Sequence, residues 1–147
     1  MKKMINFAVV IIAVLSFSNA FANDDRQINF NQLPKKAQAF VKQYYSLESV
    51  ASVWVDDDDR DKDYKVVFHN GDEVEFHTNG DWDQVKSRSG KVPEKLLPAA
   101  IKSFLSKNHA GAGVYKLDKK RSGYEVELAN GVEAEFDARG NFLRYDD

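Results

Sequence analysis

Cysteine is absent from this 147-residue chain. That excludes disulfides, thiolate metal sites and a cysteine nucleophile, and it excludes a lipid anchor on a cysteine after the N-terminal apolar stretch. A basic surplus is also lacking, with 21 Lys and Arg against 23 Asp and Glu. That balance argues against nucleic acid and anionic membrane surfaces as partners. No apolar run approaches the roughly 20 residues that span a bilayer. There is no phosphate-cradling glycine loop, no nucleophile elbow and no metal-ligand motif, so no cofactor is implied.

What is present begins with an address. Lys2 and Lys3 precede an apolar stretch from Ile5 to Phe17, and Ala20-Phe21-Ala22 offers small residues at the positions signal peptidase reads. Residues 1–22 are therefore expected to be a signal peptide, cleaved near Ala22, giving a periplasmic or secreted protein without a membrane anchor. Cleavage leaves 125 residues, a size suited to one compact domain held by its core alone. Without Lys2 and Lys3 the net charge falls to about −4, which adds to the case against nucleic acid.

The mature chain repeats itself. Tyr64, Asn70-Gly71, Glu75-Phe76, Gly80 and Trp82 return as Tyr124, Asn130-Gly131, Glu135-Phe136, Gly140 and Phe142, 60 residues on. Leu33-Pro34, Ala37, Phe40 and Val41 return as Leu97-Pro98, Ile101, Phe104 and Leu105, 64 residues on. Both apolar sets recur at helical spacing behind a proline suited to the first helical position. A short helical turn is expected at Pro93, and Asn23 to Asn29 reads as a loose polar lead-in. The spacing drops because Asp56 to Asp63 carries four extra residues. Each unit reads as a helix, strands at Ala51–Val55 or Val114–Leu117, a hairpin, and a last strand at Trp82–Lys86 or Phe142–Tyr145. The fold class expected is α+β: two tandem helix plus antiparallel β-meander repeats, at 23–86 and 87–147, forming one curved sheet with helices on one face.

Burying one face of each hairpin selects a register that pairs Phe68 with Val74 and Val66 with Phe76, and likewise Leu128 with Ala134 and Val126 with Phe136. Gly71 and Gly131 are expected in the left-handed conformation, in a type I turn closed by a bulge. Tyr64, Val66, Phe68, Val74 and Phe76 then face the helix. The opposite face carries Lys65, Val67, His69, Glu73, Glu75 and His77, then Glu125, Glu127, Ala129, Glu133, Glu135 and Asp137. In this register His69 lies opposite Glu73 and His77 opposite Lys65.

Two helix–meander units with Leu-Pro at each helix start and N-G-x-E-x-E-F-x-x-x-G at each hairpin resemble the exported PepSY-like family, described as β-lactamase-inhibitor-like. The resemblance covers essentially the whole mature chain and rests on structural rather than catalytic motifs. It implies two units sharing one curved sheet, a periplasmic setting and non-enzymatic action by binding. The chain departs from the inhibitor proteins in lacking cysteines and in its shorter units, so inhibition of a β-lactamase is not itself implied.

The candidate chemistry is thin. Asp57, Asp59 and Asp61 could gather around a hard cation, but the glycine and glutamate of an EF-hand loop are missing, and a solvated charged loop explains the run as well. His69 and His77 lie too far apart to clamp one metal, and His109 suits a helix C-terminus. Glu125, Glu127, Glu133 and Glu135 form an acidic patch for a basic partner, or a solubilising face that discourages edge pairing. Trp82 is expected in the core. Trp54 alternates with Val53 and Val55, so it projects outward beside Val67 as a binding anchor or packs against a loop. The reading is a non-enzymatic exported protein that binds an exported protein or peptide through Trp54, Val67, Lys65, His69, Glu73, Glu75 and the second-hairpin glutamates. The alternative is a cation or small-ligand sensor using the Asp-rich loop.

Overall fold

The computed structural model describes residues 25–57 and 62–146. Nine strands form one open antiparallel sheet in chain order. They are β1 (Asp25–Ile28), β2 (Val50–Asp57), β3 (Lys62–Phe68), β4 (Glu73–Phe76), β5 (Trp82–Lys86), β6 (Val114–Lys120), β7 (Gly123–Leu128), β8 (Glu133–Asp137) and β9 (Phe142–Asp146). Helix α1 (Lys35–Tyr44) precedes β2 and helix α2 (Ala99–Asn108) precedes β6. The expected helical turn after Pro93 is a 3₁₀ turn at Glu94–Leu96.

Two details differ from the sequence reading of these elements. Pro34 and Pro98 occupy the N-cap rather than the first helical position, with ψ of 147° and 149°. An extended ψ satisfies the proline ring and still lets the chain turn into the helix one residue later. The polar lead-in is in part a strand: β1 pairs along β2, with Gln27 opposite Trp54 and Ile28 opposite Val53. Four residues with one apolar side chain give no alternation to read, so the pairing is dictated by the exposed edge of β2.

The core is a continuous row. Val53, Val66, Val74, Val85, Leu117, Val126 and Ala134 face one another from β2 to β8, and all are buried. Both helices cover this face: Phe40 of α1 meets Phe76 edge-on at 5.4 Å, and Phe104 of α2 meets Phe136 edge-on at 5.4 Å. Ala37 and Val41 of α1 and Ile101 and Leu105 of α2 complete the same cluster. Trp82 packs at its margin, as expected, 6.0 Å from Phe40.

The hairpin register corrects the expected one by two residues. Val66 pairs with Val74 and Tyr64 with Phe76, not Val66 with Phe76. In the second hairpin Val126 pairs with Ala134 and Tyr124 with Phe136. The turn is the predicted one: the Gly71 N–H donates to the Phe68 carbonyl, the Phe68 N–H donates to the Asp72 carbonyl, and φ of Gly71 is +93°. That turn has a three-residue loop, so the strand resumes sooner than the expected pairing allowed. Because the slip is an even number of residues, every side chain keeps its face.

Candidate functional site

The face away from the helices is the wide surface that carries chemistry. Side chains opposite one another across successive strands form two rows along it. One runs Gln27, Trp54, Lys65, Glu75, Gln84, Asp118, Glu125, Glu135 and Arg144, crossing all nine strands. Its neighbour runs Ser52, Val67, Glu73, Lys86, Lys116, Glu127, Glu133 and Asp146. Strand alternation alone places these residues on one face, since their inward neighbours fill the core.

The structure thus brings Trp54, Val67, Lys65, Glu73, Glu75, Glu125, Glu127, Glu133 and Glu135 onto one face. Trp54 is half-buried, and its indole N–H donates to Ser52 Oγ at 2.9 Å. His69 does not join them. The corrected register puts it in the exposed first-hairpin turn, where its N–H donates to the Ser49 carbonyl. His77 likewise faces Asp83, at 3.6 Å, instead of Lys65. His109 caps the end of α2 as expected, and its Nε2 shares a hydrogen bond with the Tyr145 hydroxyl at 2.9 Å. Asp59 and Asp61 lie outside the described residues, and of Asp57 only the backbone pairing with Lys62 is described.

Charge divides the face. Near β3 and β4, Lys65 lies 3.7 Å from Glu73 and 3.9 Å from Glu75. Burial raises the Glu75 carboxyl above the usual range; Lys65 offsets this, while Asp83 and Glu73 reinforce it. Across β6 to β9 the carboxylates are Asp118, Glu125, Glu127, Glu133, Glu135 and Asp146. They are met by Lys116, 3.7 Å from Glu127, by Lys120, 2.9 Å from Glu125, and by Arg144, 2.7 Å from Glu135. The hydrogen bond from Lys120 to Glu125 raises the lysine's pKa.

Within this acidic half, oxygens of Glu125, Glu133 and Asp146 lie within 4.8 Å of one another, and all three residues are half-buried. Three carboxylate oxygens so disposed suit a hard cation such as Ca²⁺. The sequence reading missed this group because Asp146 joins it only through the β8–β9 pairing. It missed Asp118, Lys116 and Arg144 for the same reason: each belongs to the face by its register.

The fold and its acidic open face define a class, and comparison supplies its family. The profile of the β-lactamase-inhibitor-like, PepSY-like family matches residues 62–144, and the chain belongs to that family. It is similar to a periplasmic protein of Bacteroides thetaiotaomicron, provisionally described as calcium-regulated, at 37% identity and a TM-score of 0.80. That alignment covers 84% of this chain and 98% of the other. A periplasmic protein of the DUF2874 family from Bacteroides vulgatus is 38% identical, with a TM-score of 0.78 over 86% of this chain and 99% of its own. Another B. vulgatus periplasmic protein, of unknown function, is 31% identical, with a TM-score of 0.78 over 84% and 99% of the two chains. No curated protein matches the chain significantly. No helix among the described residues is long and apolar enough to cross a membrane.

Proposed function

We propose that the protein is a non-enzymatic periplasmic binding protein that captures a basic segment of an exported protein on its outward sheet face. Residues 1–22 would be removed on export, and two duplicated units, 23–86 and 87–147, would share the sheet. The observation that carries the reading is the pair of side-chain rows crossing the sheet, with an indole near one end and surplus carboxylate at the other. A hydrogen-bonded sheet holds such groups at fixed spacing, so a partner docks with little ordering cost on this side. Trp54 would anchor, Lys65, Val67, Glu73 and Glu75 would frame it, and Glu125, Glu127, Glu133 and Glu135 would attract the basic groups. Affinity capture with the mature protein tests this. One protein retained by the wild type and lost from Trp54→Ala supports the reading; equal retention by both refutes it.

A second reading is cation sensing. It is favoured by the proximity of Glu125, Glu133 and Asp146 and by the calcium-regulated description of the similar B. thetaiotaomicron protein. The cation would sit on these three rather than on Asp57, Asp59 and Asp61. Calorimetric titration with Ca²⁺ separates the two sets: heat lost in Glu125→Gln with Glu133→Gln favours the sheet site, and heat lost only in Asp57→Asn with Asp59→Asn favours the loop.

A further inference from the structure

A cavity lies away from the sheet face, at the C-terminal end of α2. It is a groove of about 650 Å³ between the segment after β5, helix α2 and the connection into β6. Its floor is apolar: Val92, Leu97, Leu105 and Val114 line it, and each is buried. Its polar lining includes Lys91, Lys102, Glu94 and His109, the two lysines and the glutamate being exposed. Neither lysine forms an ion pair with another described residue. The rim is thus net positive on a protein whose outward sheet face is acidic.

The groove has a local cause. After α1 the chain reads Tyr45-Ser46-Leu47-Glu48-Ser49, and Tyr45 stacks on Phe68 with ring centroids 4.2 Å apart, filling that end. After α2 it reads His109-Ala110-Gly111-Ala112-Gly113. His109 lines the groove while its Nε2 shares a hydrogen bond with the Tyr145 hydroxyl, and the small residues that follow leave the space open. The two walls meet without side chains, since a Cβ on Gly113 would fall 2.4 Å from the Gly90 carbonyl oxygen.

We infer that this groove binds a small amphipathic anion, an apolar chain ending in one carboxylate. The volume is within the range of small-molecule sites, and an apolar floor with few polar groups at the mouth is their usual construction. A carboxylate at the mouth would meet Lys91 and Lys102 in charge-assisted hydrogen bonds while its chain covers Leu105 and Val114. Ligand binding here is independent of the sheet face, so Trp54→Ala leaves it unchanged.

The test is titration of the isotope-labelled protein with sodium octanoate, followed by amide NMR, with octan-1-ol as the uncharged comparator. Saturable shifts confined to residues 90–94 and 105–114 are expected, with octan-1-ol binding at least about tenfold more weakly. Lys91→Gln with Lys102→Gln should weaken octanoate by a similar factor, and Ser106→Trp, which fills the groove from an exposed helical position, should abolish it. The two lysine changes are on the surface and keep the test valid if Ser106→Trp does not fold. Absence of saturable shifts, equal binding of octan-1-ol, or undiminished binding in the lysine double variant would each overturn the inference.

Discussion

Gln84 donates a hydrogen bond from its side-chain amide to the Asp118 carboxylate at 2.8 Å, across the boundary between β5 and β6. These two strands carry the outward row from the mixed-charge half of the face to the acidic half. Asp118 is well shielded, its side chain 14% exposed, with Lys116 at 3.9 Å. Gln84→Ala therefore leaves a desolvated carboxylate short of a donor. The expected loss is about 1–2 kcal/mol, read as a lower urea midpoint with an unchanged slope.

Two glycines separate backbone strain from crowding. Gly131 has φ of +94° and open space where a Cβ would go, so Gly131→Ala should cost only about 1 kcal/mol. Gly80 has φ of +92°, and a Cβ there would lie 2.9 Å from Lys36 Cβ and 3.0 Å from Pro34 Cβ. Gly80→Ala must also displace the start of α1, and a loss of roughly 3 kcal/mol is expected. Equal effects in chemical denaturation would contradict the close packing of the β4–β5 turn against that helix.

Phe136 tests the second helix's anchorage. It is 2% exposed and meets both Phe104, at 5.4 Å, and Phe142, at 5.9 Å. Phe136→Ala should cost about 3–5 kcal/mol, measured as a drop in thermal midpoint.

Acid should weaken the turn between β8 and β9. The backbone N–H of Asn141 holds the Asp137 carboxyl below the usual range, helped by the Asn141 side chain and the Arg139 N–H. A carboxyl depressed in the folded state adds stability above its unfolded pKa and loses that contribution as pH falls through the folded value. Asp137→Ala should thus lower the thermal midpoint at pH 7, and the gap to wild type should shrink at pH 3. A gap that does not narrow would show that the carboxylate's charge plays no part in the turn.

The fold was legible where local chemistry fixes it. Pro34 and Pro98 announced the helices, the glycines at 71 and 131 announced the turns, and alternation sorted each hairpin's faces even with the pairing two residues out. What escaped depends on neighbours distant in sequence. Strand β1 exists because β2 offers an edge, and the Glu125, Glu133 and Asp146 group exists because β9 pairs with β8. The groove beside α2 was missed for another reason. Its signal, Ala110 to Gly113 where the first half has Ser46, Leu47, Glu48 and Ser49, is a lack of side chains, and only packing shows whether such a gap stays open.

The outward sheet face as a docking surface is tested most directly by capture from periplasmic extract with three proteins side by side. These are the wild type, Trp54→Ala, and Glu127→Lys with Glu133→Lys. A variant of the helix-bearing side, Lys35→Glu, serves as control. The account predicts one exported protein with a basic segment, held by the wild type and the control and lost from both sheet-face variants. Capture that survives both sheet-face changes, or that Lys35→Glu alone removes, would contradict it.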